Sequence, residues 1–361
     1  MDIQKLLKQA VELHASDLHL NANCYPVLRV NGALINLKEY ELINPLALKE
    51  LFDTITNDNQ KQLIHTRKQL DFAYLLPGIG RFRVNALIQR GSLSFAFRVI
   101  SENVAPLTSL GLPDIYADIT TYRKGLILVT GPTGSGKSTT LSAMVNYINE
   151  NDSRQIITVE DPIEYVHANK KSIILQLEIG RDTESFSQAL WNTLRHDPDV
   201  LVVGEMRDLE TISAAITAAE TGHLVMGTLH TNDATQTVDR MVEVFPHGQQ
   251  AQIRIQLSQV LIGVFSQVLI PRIRGGRVPA CEVMIVNSAV KNSIREGKMQ
   301  YLQNAIQLGI KEKMQTLNQS IARLVVDKEI TLQQGLLNCV DREQLMNLVG
   351  LKELAQQPVY A

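Results

Sequence analysis

Gly131-Pro-Thr-Gly-Ser-Gly-Lys-Ser-Thr139 fits the pattern G-x-x-x-x-G-K-[ST], with Gly131, Gly136, Lys137 and Ser138 at its fixed positions. A loop that grips phosphate must aim successive backbone N–H groups inward, and glycines allow that curvature because they carry no Cβ. In such a loop Lys137 reaches the β- and γ-phosphates and the Ser138 hydroxyl is a ligand for Mg²⁺. Gly131, Pro132, Thr133, Gly134, Ser135, Gly136, Lys137, Ser138 and Thr139 are therefore the expected binding loop for a nucleoside triphosphate. Upstream, Leu126-Ile-Leu-Val129 is a short apolar run suited to a buried strand. Downstream, Leu141, Met144, Val145 and Ile148 recur at helical spacing. Strand, glycine loop and helix follow in the order that brings the positive end of a helix onto the phosphates. The alternative is a glycine-rich turn with a solvated lysine; motif and context together favour the phosphate loop.

At 361 residues the chain is too long for one ordinary core, so two or three domains are expected. A net charge of −2 gives no electrostatic case for nucleic acid as the main partner. Cys24, Cys281 and Cys339 are scattered without C-x-x-C spacing, which points to a reducing compartment with no zinc site and no disulfide framework. The N-terminus has no long apolar run or small-residue cleavage site. Ile3, Leu6, Leu7, Ala10 and Val11 instead mark one face of an amphipathic helix, expected to pack on its own domain. The segment Leu257 to Ile270 is too short to span a bilayer and contains Gln259 and Gln267. A soluble, cytoplasmic protein is expected, with any membrane link made through a partner.

The first hundred or so residues read as a small α/β unit. Val27–Val30 and Ala33–Leu37 flank Asn31-Gly32, the preferred turn of a β-hairpin. A helical segment around Pro45 to Thr56 precedes three strand candidates, Asp71 to Leu76, Arg81 to Gln89 and Leu93 to Ile100. The last two form a hairpin about Arg90-Gly91. Asn103 to Pro113, with Pro106, Gly111 and Pro113, reads as a linker. From about Arg123, buried strands alternate with helices, the pattern of a parallel sheet with crossover helices. Beyond Pro271 the chain reads as mainly helical, with amphipathic pieces around Ala289, Tyr301, Leu317, Leu332 and Leu345. The expected fold class is α/β, divided into 1–102, a 103–113 linker, a core at 114–270 and a mainly helical part at 271–361.

Asp199-Val-Leu-Val-Val203 ends in Gly204-Glu205. In a doubly wound sheet strand ends converge on the phosphate loop, so Glu205 can polarise an attacking water. Ile156-Ile-Thr-Val159 delivers Glu160 and Asp161 ahead of Pro162 and Glu164. Carboxylates so close repel unless a cation offsets them, and Mg²⁺ is the natural candidate. For Glu164 an ordinary acidic loop is the better reading. Leu224 to Leu229 is flanked by His223 and His230, and a histidine at a strand end can sense a γ-phosphate through a hydrogen bond. Thr228, His230, Thr231, Asn232 and Asp233 crowd together with little apolar content, which favours function there. Asp208 to Thr221 is a scaffold helix, capped by Asp208 and closed by Gly222. In Arg81-Phe-Arg-Val-Asn85, Phe82 and Val84 point to the core while Arg81 and Arg83 share the other face. Arg98 of the hairpin partner joins them. With no acidic partners in those strands, the three guanidiniums are either a solvated face or arginine fingers awaiting phosphate.

Gly131 to Thr140, Ile157 to His167, Val203 to Thr211 and Thr221 to Asp233 are ordered as the Walker A, Asp-box, Walker B and His-box elements of the secretion-superfamily ATPases, and the chain resembles that family. Ala15-Ser-Asp-Leu-His19 and Gly80-Arg-Phe-Arg-Val-Asn-Ala86 resemble the N-terminal domain of its pilus-retraction branch. Ala289-Val-Lys-Asn-Ser-Ile-Arg-Glu296 resembles the branch's C-terminal AIRNLIRE motif, with Lys291 where arginine is usual and Ser293 where an apolar residue is usual. The resemblance implies a PAS-like α/β N-terminal domain, a RecA-like P-loop domain and a helical C-terminal part. It implies a homo-hexameric ring that hydrolyses ATP with Mg²⁺ to disassemble pilus fibres, at the cytoplasmic face of the inner membrane. Partners so implied are an inner-membrane pilus platform protein and a paralogous retraction ATPase. Matched by position, Lys137 and Ser138 bind phosphate and Mg²⁺, Glu205 is the Walker B glutamate, Glu160 lies in the Asp box and His230 in the His box. Arg81, Arg83 and Arg98 take the positions expected to reach the nucleotide when the N-terminal domain closes. The alternatives within the family are an accessory retraction ATPase and an extension or type II secretion ATPase. A DNA-handling motor is disfavoured by the lack of a basic or aromatic strand-binding run.

Overall fold

The computed structural model describes residues 2–30, 32–100 and 104–350. The chain divides into two compact units. One is made of the described residues of Met1–Asn103 with Pro162–Val166, the other of those of Val104–Asp161 and His167–Ala361.

In the first unit the strands are β1 (Asp17–Asn21), β2 (Val27–Val30), β3 (Ala33–Asn36), β4 (Gln69–Leu76), β5 (Gly80–Gln89) and β6 (Ser92–Ile100). They form one antiparallel sheet in the order β3-β2-β1-β6-β5-β4. Helices Ile3–Glu12, Pro45–Ile55 and Asp58–Arg67 accompany it. The expected apolar stripe of the first helix is spent inside the unit: Ile3, Leu6, Leu7 and Ala10 are buried. Asn44 starts the second helix by accepting from the N–H of Leu46 at 2.9 Å, with Pro45 in its first turn. Along β5 burial alternates, so Phe82 and Val84 are fully buried and Arg81 and Arg83 are not. Of the two turn residues joining β2 to β3, Asn31 lies outside the described residues and Gly32 has φ of +84°.

The second unit holds β7 (Gly125–Thr130), β8 (Gln155–Glu160), β9 (Ile173–Glu178), β10 (Val200–Val203), β11 (Leu224–Leu229), β12 (Leu261–Pro271) and β13 (Arg277–Ile285). Their order is β13-β12-β7-β11-β10-β8-β9. Every neighbouring pair is parallel except β12 with β13. All of β7, β10 and β11 is buried, which is why these strands read as continuous apolar runs instead of alternating ones. Helices Lys137–Asn151, Leu209–Glu220 and Ala234–Glu243 follow β7, β10 and β11. Consecutive neighbours β7, β11, β10 and β8 end at one level of the sheet: Thr130 pairs with Leu229, and Val203 with both Gly227 and Val159. Their carboxyl ends carry the phosphate loop, His230, Glu205 and the Glu160 block respectively.

Two stretches carry structure that the sequence reading did not specify. The part beyond Pro271 opens with β13 before the helices Ser288–Glu296, Leu302–Leu308, Leu317–Val326, Leu332–Asn338 and Arg342–Val349. β13 contains Pro279, which an edge strand tolerates because a proline costs no ladder hydrogen bond on its open side. The segment read as a linker is largely packed down. Leu107 is buried, and Val104, Leu110 and Leu112 lie against the core formed by β7 and the helix Lys137–Asn151. Asn103 lies outside the described residues.

Candidate functional site

The phosphate loop leaves the end of β7 and runs into the helix Lys137–Asn151, as its sequence requires. Gly131, Gly134 and Gly136 have φ of +141°, +81° and +89°, conformations that other residues rarely adopt. Gly131 is also sterically obligatory, because a Cβ there would sit 2.3 Å from the backbone oxygen of Gln267 and 2.6 Å from Ser135 Oγ. Lys137 is buried, and its ammonium donates to Gly131 O at 2.8 Å and Pro132 O at 3.1 Å. The lysine is thereby folded onto its own loop, held by weaker acceptors than phosphate oxygens would be. Ser135 Oγ is buried and has no hydrogen-bond partner among the described residues, a polar atom awaiting an acceptor or donor from outside.

Gln267 of β12 braces this loop. Its Nε2 donates to Ser135 O at 2.8 Å, and its Oε1 accepts from Thr140 Oγ1 at 3.0 Å. Sequence reasoning noticed Gln267 only as a polar residue unsuited to a bilayer. A buried glutamine inside an apolar strand was the available signal.

Glu205 follows Gly204 at the end of β10. A Cβ on Gly204 would press on Val159 O and Glu160 Cα at 3.1 and 3.2 Å, so the glycine lets the two strand ends approach. Met206 N donates to Thr228 O at 3.0 Å and Thr228 Oγ1 to Gly204 O at 2.5 Å, which ties the Glu205 turn to β11. His230 Nε2, one residue beyond β11, lies 2.9 Å from Glu205 Oε1. The same oxygen accepts from Arg207 Nε. That contact holds the guanidinium firmly in its charged form: the hydrogen bond and charge of Glu205 raise its pKa, with Asp161 adding to the effect. A cavity of about 500 Å³ is lined by Thr133 of the loop and by Glu205, Arg207, His230, Thr231 and Arg240. Arg207 and Arg240 were not singled out from the sequence, although Arg207 lies inside the Val203 to Thr211 block.

Glu160, at the end of β8, is placed differently. Its Oε1 accepts from Thr158 Oγ1 at 2.7 Å and from Gln176 Nε2 at 3.2 Å, and it does not line the cavity. Of the three neighbouring carboxylates, Glu160 and Asp161 belong to the second unit and Glu164 to the first. Among the described residues no cluster of three or more His, Cys, Asp or Glu side chains can hold a metal. Ser138 is exposed in the first turn of the helix after the loop, where its hydroxyl remains available.

Other sequence expectations resolve by their hydrogen bonds. His223 sits at the opposite end of β11 from His230, against Ala218 O and Thr221 Oγ1, so its role is to finish the helix Leu209–Glu220. Asp208 caps that helix through Thr211 N at 2.8 Å, as the sequence indicated. Asp233 caps the helix Ala234–Glu243 through Gln236 N at 2.7 Å, and Thr231 Oγ1 lies 2.7 Å from Thr237 Oγ1. Of the polar group after β11, His230 and Thr231 line the cavity while Asp233 starts a helix.

Arg81, Arg83 and Arg98 belong to the first unit. Arg83 and Arg98 are directly opposed across β5 and β6, an arrangement of like charges that needs compensation. It comes from flanking strands. Arg98 Nε donates to Asp17 Oδ1 of β1 at 3.0 Å, and Arg83 Nε lies 3.8 Å from Asp71 Oδ1 of β4. The absence of acids in β5 and β6 themselves therefore did not mean an uncompensated face. Within this unit Arg83 and Arg98 also line a cavity of about 290 Å³ with Glu164 and Tyr165.

Residues 1–334 match the family model described as type II/IV secretion system protein. The chain is 48% identical over 327 residues to the type IV pilus retractation ATPase PilT of Pseudomonas aeruginosa, covering 90% of this chain and 94% of that protein. It is 36% identical over 352 residues to the type IV pilus ATPase PilU of the same organism, covering 97% and 92%. A crystal structure of the pilus retraction motor PilT with bound ADP superposes with a TM-score of 0.90 at 46% identity, covering 96% of this chain and 99% of that one.

Proposed function

This chain belongs to the type II/IV secretion system protein family, and we infer from that membership that it is an ATPase whose ATP hydrolysis drives the retraction of type IV pili. The observation that carries the reading is the convergence of a phosphate loop with Glu205 and His230 on one cavity at the carboxyl edge of a parallel sheet. ATP enters the loop, and Lys137 exchanges Gly131 O and Pro132 O for phosphate oxygens. Backbone N–H groups and the N-terminus of the helix Lys137–Asn151 take the remaining charge. Water attacks the γ-phosphorus in line, the bond from that phosphorus to the β–γ bridging oxygen breaks, and Glu205 accepts the water's proton. His230, beside Glu205, is placed to report the presence of the γ-phosphate. Mg²⁺ bound at Ser138 would neutralise charge on the β- and γ-phosphate oxygens; it takes most of its ligands from phosphate and water, so a single protein hydroxyl suits it.

The reading extends further. Arg81, Arg83 and Arg98 are proposed to add transition-state charge stabilisation from the N-terminal domain, with Glu160 supporting the nucleotide site. The chain would work as a ring of six copies against a pilus platform protein, which would hold it at the cytoplasmic face of the inner membrane. Among the described residues no helix is long and apolar enough to cross a membrane. An accessory retraction role is the second reading; the chain is also similar, at 36% identity over 352 residues, to the type IV pilus ATPase PilU. Ser293 points the same way: its hydroxyl donates back to Ala289 O at 3.0 Å, at a position where the retraction motif is apolar.

Steady-state phosphate release tests the enzyme. Glu205→Gln should keep ATP binding and lose turnover by at least about a hundredfold, while Lys137→Ala should lose both. Undiminished hydrolysis by Glu205→Gln would remove the glutamate from its role. In a deletion strain, restored retraction by the intact chain alone supports the principal reading, whereas restoration only alongside a second retraction ATPase supports the accessory one.

A further inference from the structure

We propose that Arg207 is a positioning residue for hydrolysis: it fixes Glu205 through Oε1 and so presents Oε2 as the oxygen that takes the proton of the attacking water. The inference rests on the assignment of Glu205 as proton acceptor. Oε1 already accepts a hydrogen bond from Arg207 Nε, and His230 Nε2 lies 2.9 Å from the same oxygen. Among the described residues Oε2 has no protein partner. The directional donor on Oε1 is therefore Arg207, and it is this hydrogen bond that restrains the carboxylate.

The pairing has little structural purpose. Arg207 is 75% exposed against 19% for Glu205, and a pair exposed on one side adds little to stability. Neither residue lies in a strand or helix. The groups around Glu205 are Arg207 on its own turn, His230 after β11, Arg240 of the helix Ala234–Glu243, and Asp161 and Glu160 after and at the end of β8. Arg207 is the group that supplies a permanent positive charge in direct contact with the carboxylate. Removing it takes away the positive charge that stands between that carboxylate and the acidic residues of the β8 end.

Arg207→Ala and Arg207→Gln should lower kcat about tenfold or more with little change in KM for ATP. The acidic limb of the kcat profile should move to higher pH, and Arg207→Lys should restore part of both effects. Thermal stability should stay within the scatter of the wild type, because the pair is exposed. In single-turnover measurements Arg207→Ala should add nothing to Glu205→Gln, as expected when one residue acts through the other. Wild-type kcat in both Arg207 variants would overturn the proposal, and so would a fall in kcat with an unmoved acidic limb. If instead Glu205→Gln turns over normally, the assignment of Glu205 itself has failed, an outcome the Arg207 variants alone do not produce.

Discussion

His167 shows how one side chain records its surroundings. Its Nε2 lies 3.2 Å from Ser142 Oγ, while its buried Nδ1 has no partner among the described residues. Burial, with the nearby charge of Lys170, pushes its pKa from 6.5 down to about 4. The folded state therefore keeps it neutral where the unfolded chain would protonate it. Its stabilising contribution is complete above pH 6.5 and is lost as the pH falls toward 4, by up to about 3 kcal/mol. Denaturant unfolding of His167→Gln and wild type at several pH values should show the wild type losing stability faster across that window; parallel curves would refute the assignment. The lowered basicity of the ring is invisible in sequence, because it comes first from burial by the fold and then from the charge of Lys170. The same limit explains Gln267 and Arg207. Gln267 reaches Ser135 across 132 positions, and Arg207 sits on a turn with no periodicity to read. Glu205 and His230 were legible because each directly follows a buried apolar run, and such runs end at one edge of a parallel sheet.

At the scale of elements, the phosphate loop is where local sequence and tertiary contact demand the same residue. Gly131→Ala must place a Cβ 2.3 Å from Gln267 O, a backbone atom of β12, and must hold an alanine at φ of +141°. Either the loop shifts or β12 does. The cost should be about 1–3 kcal/mol, read as a lowered denaturation midpoint, and nucleotide affinity should fall because the N–H groups no longer converge. An unchanged midpoint with wild-type ATP binding would show that the loop accommodates the methyl group. Gly134 provides the contrast, since a Cβ there meets open space and only its φ of +81° resists substitution. Elements with a strong local signature were legible: β7 with its loop and helix, the β5–β6 hairpin, the helix after Asp208. Those missed had a conflicting signature or a weak one. β13 lies in a part dominated by helical periodicity, and β1 is five residues long with a histidine and two polar ends. β9 is the opposite edge of the sheet, with Ile173 exposed, so its burial pattern matches neither a core run nor a clean alternation.

For the whole molecule, the division into two units turns the proposed role of the arginines into a question of thermodynamic linkage. A ligand stabilises only what it binds, by about 2.7 kcal/mol at a concentration of 100 times its Kd. If the chain melts in two steps, Mg²⁺ and a non-hydrolysable ATP analogue should raise the transition of the phosphate-loop unit by about 5–10 °C. Lys137→Ala should abolish that rise. If Arg81, Arg83 and Arg98 also engage the nucleotide, the transition of the first unit must rise with it. Arg83→Gln and Arg98→Gln should then suppress the rise in the first unit while sparing the other. The ligand-induced shift is the quantity to compare, because Arg98→Gln also takes a hydrogen bond from the buried Asp17 and lowers the baseline. Arg29, 3.9 Å from Asp17, leaves that carboxylate a cation and limits the loss. A first-unit transition indifferent to nucleotide in the wild type would confine ATP to the loop, Glu205 and His230. Sequence alone could not pose the question in this form. The composition changes near residue 103, but nothing except Pro162 marks Pro162–Val166, which the fold assigns to the first unit although Glu160 and His167 on either side belong to the second. Gln176 of β9 holds both flanks, donating to Glu160 Oε1 at 3.2 Å and accepting from His167 N at 2.9 Å. Gln176 is thus one of the ties that hold the two flanks to β9, and Gln176→Ala should weaken the nucleotide-dependent shift of the first unit more than that of the second.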